Sequence, residues 1–187
     1  MKRAPFVVVA AALLLGSCAP TGPGHGSAHS GALVEEVRRG TSVFRDPAAA
    51  TGYAPFLGCV SAPGEGAMGV HLVNGDLVGD GELDAQRPEA LIYEPTPDGL
   101  RLVGVEFIVM AEGWHAHHKT PPTLMGQVFH YTASPNRYGI PAFYSLHVWA
   151  WKDNPQGPFA DWNPRVSCQA YSPPAPTPPA KTGAARN

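Results

Sequence analysis

Apolar residues recur at helical spacing over residues 32–50. Leu33, Val34, Val37, Val43 and Phe44 form one stripe, and Glu35, Glu36, Arg38 and Arg39 fall mostly on the other side. The pattern predicts an amphipathic helix, with Glu35 and Arg39 as an i,i+4 ion pair. Pro47 interrupts it. A proline inside a helix removes a backbone hydrogen bond and clashes with the preceding turn. A break is therefore expected near Asp46, which is placed to cap a second turn.

From Tyr53 to Tyr171 the period shortens and the runs become strand-like. Residues 68–73, 90–93, 100–110, 123–131 and 142–151 are the five apolar runs. Residues 100–110 (LRLVGVEFIVM) form the strongest, and Asp98-Gly99 is placed to turn residues 90–93 back onto it as a hairpin. Turn formers separate the other runs: Asn74-Gly75, Gly79-Asp80-Gly81, Pro121-Pro122, Asn154-Pro155 and Asn163-Pro164. A leading helix followed by about five strands predicts an α+β fold, with the N-terminal helix packed on a curved, mainly antiparallel sheet. A small β-barrel or sandwich is the alternative.

The two ends read differently from the middle. Lys2 and Arg3 precede an apolar run of Val, Ala and Leu, followed by Gly16 and Ser17. That is the layout of an export signal, and the run is shorter than the ~20 apolar residues a bilayer core requires. Leu15-Gly16-Ser17-Cys18 resembles the lipobox of bacterial lipoproteins. The resemblance implies cleavage before Cys18, acylation of its sulfur and new amine, and anchoring through several chains, which together hold a protein stably at a membrane. It implies a cell-envelope location: the outer membrane in a Gram-negative cell, where Ala19 stands in place of a retention-type Asp, and otherwise the outer face of the cell membrane. The expected organisation is a signal peptide at 1–17, a lipid-anchored flexible tether at 18–31, one globular domain at 32–171 and a Pro-rich disordered tail at 172–187.

Composition narrows the middle segment. Of 187 residues, 44% are hydrophobic and 15% charged, which excludes a disordered chain. With 21 Gly and 21 Pro, a long helical bundle is excluded too. Loss of Lys2 and Arg3 with the leader would take the formal net charge from −2 to −4. No basic run exists, so phosphate neutralisation cannot drive binding and nucleic acid is not an expected partner. Once Cys18 is acylated, Cys59 and Cys168 remain. In an oxidising compartment two leftover cysteines suggest one disulfide. A pair of buried or metal-binding thiols is the alternative, and no CxxC spacing supports it.

The candidate chemistry lies in polar residues set inside apolar strands. His71, Glu106 and His147 each occupy such a position. By alternation Glu106 shares a face with Leu102, Gly104 and Ile108. A mid-strand carboxylate must find water, a cation or a donor. Two imidazoles and a carboxylate facing one cavity would suit a divalent transition metal (zinc, copper or iron) with open coordination positions. His130 is a further candidate ligand. Trp149 and Trp151 are spaced to share a face with His147 and to line a ligand pocket. Trp114-His115-Ala116-His117-His118 is expected to be an exposed loop. There is no GxSxG nucleophile motif and no phosphate loop, and no motif defines a reaction.

Residues 66–74 (GAMGVHLVN), 91–95 (LIYEP), 103–109 (VGVEFIV) and 147–168 (HVWAWKDNPQGPFADWNPRVSC) are similar to a family of bacterial secreted and envelope proteins without an established activity. The resemblance implies one recurrent domain and carries no function across. The expectation is a lipid-anchored envelope protein that binds a metal ion or small ligand through the trio. Two rivals stand beside it: a metal-dependent enzyme on the same residues, and a structural or partner-binding envelope lipoprotein.

Overall fold

The computed structural model describes residues 25–173, with the side chains of 25–30 left aside. The expected signal peptide, Cys18, most of the expected tether and all but the first residues of the expected tail lie outside the described residues. Helix α1 runs His25–Thr41 and so begins inside the segment expected to be tether. Its buried stripe is Leu33, Val37 and Thr41. Two short 3-10 turns follow, Ser42–Arg45 and Pro47–Ala49. The Asp46 carboxylate accepts the Ala48 N–H, so the cap expected there is present. Val43 is 59% exposed because α1 has already ended. The ion pairs are Glu35–Arg38 at 2.6 Å and Glu36–Arg39 at 2.9 Å, an i,i+3 register in place of the expected Glu35–Arg39.

The strands are β1 (Ala54–Ala62), β2 (Gly66–Val73), β3 (Ala90–Thr96), β4 (Gly99–Met110), β5 (Thr123–Leu124), β6 (Gln127–Val128), β7 (His130–Thr132) and β8 (Phe143–Val148). Six of them form one curled antiparallel sheet in the order β1-β2-β3-β4-β8-β7. The fold is α+β with a curved sheet, as the sequence predicts, and β3–β4 is the expected hairpin, closing at Thr96↔Gly99. The sheet gains β1, a strand not singled out among the apolar runs. The run at 123–131 divides into a two-stranded β5–β6 ribbon and part of β7. Met125 and Gly126, both at positive φ, make the turn between β5 and β6.

One face of the sheet packs under α1. Leu33 and Val37 meet Leu72, Leu91, Tyr93, Val105, Phe107 and Leu146 there. Leu102 joins this core and leaves the face expected for it. The cause is a register shift: Ile92 pairs with Gly104 but Tyr93 pairs with Leu102, so Val103 is an extra residue on β4. The opposite face carries Ala90, Ile108 and Phe143, together with the polar residues of interest. Two short helices flank the sheet, α2 (Gly75–Asp80) and α3 (Ala111–His117). The Asn74 side chain accepts the N–H groups of Asp76 and Leu77 and starts α2 where a turn was expected. Residues 114–118 are likewise helical over most of their length, in α3, instead of forming a loop.

Candidate metal centre

Register decides how the trio assembles. Glu106 on β4 lies opposite His147 on β8. On its other side it lies opposite Ala90 of β3. His71 sits one strand further, on β2, opposite Ile92. The row of His71 and Ile92 continues to Gly104, two residues along β4 from Glu106, so the two backbones lie two strands and two residues apart, about 12 Å. Both long side chains stand on the same face and close that diagonal. His71 Nε2 lies 3.4 Å from Glu106 Oε2, and His147 Nε2 lies 3.8 Å from Glu106 Oε1. One donor atom from each residue falls within 4.8 Å of the other two. All three residues are buried, at 6%, 7% and 2% exposure for His71, Glu106 and His147.

Asp161 is a member of the site that sequence reasoning missed. His147 Nδ1 stands 3.6 Å from Asp161 Oδ1, and His130 Nδ1 is hydrogen-bonded to the same oxygen at 3.0 Å. His130 does not join the trio directly; it is exposed and reaches the site through Asp161. The only signal in the sequence was the turn chemistry around Asp161. The Trp149 N–H and indole donate to the carbonyls of Pro158 and Ala160. Asn154 donates to the Trp162 carbonyl and its own side-chain oxygen accepts from Gln156. Asn163 exchanges both backbone hydrogen bonds with Ala67 of β2. Gly66 lies so close to Asn163 and Pro164 that an added Cβ would collide with their backbone. The Cys59–Cys168 disulfide then ties the segment's end to β1. These contacts carry the chain back across the sheet and deliver Asp161 to His147.

Trp149 and Trp151 do not line this cavity or share the face expected of them with His147; both border a separate surface pocket with Val34, Arg38 and Asn154. β8 ends at Val148, so strand alternation stops before either residue. Trp149 packs with Ala67, Ile92, Val103 and Val166, its ring stacked near His147 at 6.1 Å. Trp151 goes to the α1 side, where its indole donates to Thr41 Oγ1. In α3, His115 contacts the Tyr144 hydroxyl at 3.0 Å, and His118, just past the helix end, stacks on Trp114. Neither approaches the trio.

The electrostatics of the buried group are coupled. Burial pushes Glu106 upward, but the His147 charge and the His71 hydrogen bond, helped by the Ser145 hydroxyl, hold it below the ordinary value of 4.5. Burial pulls His147 down, but Glu106 and then Asp161 outweigh it and raise it above 6.5. The His147 interaction lowers Asp161 below 3.8 against its own burial, with His130 adding to the effect. Even so, both His147 ring nitrogens are buried without a hydrogen-bond partner. Each faces a carboxylate from beyond hydrogen-bonding distance.

In front of these residues lies a cavity of about 70 Å³. Its walls are apolar (Val60, Met68, Ile108 and Phe143 among them), and its polar groups are the trio, Ser145, His130, Asp161 and a few hydroxyls. No family model matches the chain, and no curated protein or solved structure matches it. The reading of the site therefore rests on its geometry.

Proposed function

We propose that this chain is a lipid-anchored cell-envelope protein that holds a divalent transition metal ion on His71, Glu106 and His147. His147 carries the reading. A fully buried imidazole with both nitrogens unpartnered is costly, because a desolvated polar group forfeits its hydrogen bonds to water. A metal ion on Nε2 removes that cost. Bonds of ~2.0–2.2 Å put neighbouring ligand atoms about 3.4 Å apart in a tetrahedral shell, close to the separations around Glu106. Asp161 then plays the part usual for a carboxylate behind a metal-bound histidine, taking the Nδ1–H and fixing the tautomer. Two imidazoles with one carboxylate suit zinc, iron or copper, and the hard cations calcium and magnesium suit the site poorly.

Three protein ligands facing a cavity leave positions open for an exogenous ligand. That feature favours a metal-dependent enzyme as the second reading. It counts against a purely structural envelope lipoprotein, which has no use for a polar cavity. The anchoring rests on the lipobox resemblance at Cys18.

The deciding experiment is metal analysis of untagged protein after incubation with zinc, copper or ferrous iron and gel filtration. About one equivalent in the wild type, and none in the H71A/E106A/H147A variant, is expected. Equal, negligible metal in both would sink the proposal. Globomycin-sensitive processing and loss of acylation in Cys18→Ser test the anchor separately.

A further inference from the structure

Resting on the metal reading above, we infer that the site takes a short aliphatic monocarboxylate. Its carboxylate completes the ion's coordination, and its hydrocarbon chain runs outward along Ile108, Phe143, Phe56 and Leu57. Coordination selects the head group. Two neutral imidazoles and Glu106 leave a divalent ion with one unit of positive charge within its own ligand shell; Asp161 stands outside that shell, at the Nδ1 side of His147 and hydrogen-bonded to His130. An anionic oxygen donor neutralises the shell and fills an open position on the ion.

The walls select the tail. Ile108 and Phe143 are buried in the cavity's lining, whereas Phe56 and Leu57 reach its rim at 37% and 50% exposure. Two neighbouring large apolar side chains at the mouth of a polar-floored cavity are unusual in a position with nothing to cover. Leu57 is also held at φ 61, where leucine is strained, by the irregularity of β1 between Phe56 and Cys59. Strain of that kind persists where the surroundings over-determine it, and it gathers at ligand sites. The interior volume of about 70 Å³ admits a carboxylate and a few carbons. A longer chain leaves over the Phe56–Leu57 rim. A sugar or polyol would set hydroxyls against these walls with no partners for them.

Calorimetry on zinc-loaded wild type with acetate, butyrate, hexanoate and octanoate tests this. Affinity is expected to rise about fourfold per added methylene until the chain clears the rim. Metal-free protein is expected to bind none of the series. Leu57→Gly keeps the fold, because glycine adopts positive φ without strain. It is expected to hold the same zinc while its gain from butyrate to octanoate falls well below that of the wild type. Zinc-loaded protein that ignores all four acids overturns the inference and leaves the metal site standing. Equal binding with and without zinc overturns the coordination. A flat chain-length series, or an unchanged slope in Leu57→Gly, overturns the apolar seat. Protein that takes up no zinc overturns both this inference and the metal reading beneath it.

Discussion

His147 Nδ1 faces the Asp161 carboxylate at 3.6 Å while its Nε2 faces Glu106 at 3.8 Å. One buried imidazole thus stands between two anions delivered by different parts of the chain. Glu106 comes from the neighbouring strand, and Asp161 comes from the segment that folds back after β8. That arrangement has consequences on both sides of the ring.

Asp161→Asn keeps the size of the side chain but removes its charge. The His130 contact weakens and Nδ1–H of His147 loses its anionic acceptor. Zinc affinity is expected to fall about 10- to 100-fold, as for other carboxylates behind metal-bound histidines. Competition with a chromophoric chelator measures it. Unchanged affinity would show that Asp161 does not orient the ring.

In the metal-free protein the contributions of Glu106, Asp161 and His147 to stability should all be complete between pH 4.5 and 6.5. Glu106 and Asp161 are lowered on folding, so their contributions are present above their ordinary values of 4.5 and 3.8 and are lost as pH falls through the folded values. His147 is raised, so its contribution is complete below 6.5 and is lost as pH rises through its folded value. Metal binding needs neutral imidazole, so zinc affinity runs the other way and climbs as His147 gives up its proton. Thermal melts from pH 4 to 9, with and without zinc, should show the two trends diverging above pH 6.5. Parallel curves would contradict the coupling.

Glu89 offers a test outside the site. It is 1% exposed, and its Oε2 accepts the Ile108 N–H at 2.9 Å. Burial pushes its pKa up to about 8, against the lowering effect of that hydrogen bond. Its raised value means stability is complete below 4.5 and is lost as pH rises toward about 8. Glu89→Gln retains the acceptor without the charge. It should exceed the wild type by on the order of 1–3 kcal/mol above pH 8 and match it near pH 5. Urea melts at the two pH values distinguish this from a general gain.

Cys59 and Cys168 are separated by 109 residues and are bonded. For a loop of that length, loss of the disulfide should cost about 2–5 kcal/mol, depending on how much structure the reduced chain retains. The Cys59→Ser/Cys168→Ser variant should also bind zinc less tightly, because the bridge joins the β1 wall to the segment bearing Asp161. Denaturant melts and zinc competition on the same preparation measure the two effects together.

Residues 90–110 show what local pattern conveys. The alternation of apolar residues around Asp98-Gly99 was enough for the β3–β4 hairpin, because pairing there is between neighbours in sequence. Glu106 stood out for a similar local reason: a carboxylate in an apolar strand is anomalous wherever the strand goes. The helix pattern before Gly40 and the Asp46 cap were legible on the same grounds. Leu102 was misplaced because a single extra residue, Val103, turns the rest of β4 over, and a bulge leaves no mark in alternation. Residues 114–118 misled because a short helix docked on a sheet has too few turns to display a period.

The chain's own order of residues thus conveyed the amphipathic helix, the β3–β4 hairpin and the main strands, pointed to the pairing of Cys59 with Cys168, and marked the three polar positions inside apolar strands. Each depends on neighbours in sequence or on the count of what is left over. Convergence depended on the folded sheet. His71 reaches Glu106 only because β3 sets β2 and β4 in a register that puts both on one face two strands apart, and Asp161 reaches His147 only because the segment after β8 is pinned to Ala67, the Trp149 indole and Cys59. Those contacts join residues far apart in sequence, and no local periodicity encodes the register at which distant strands meet.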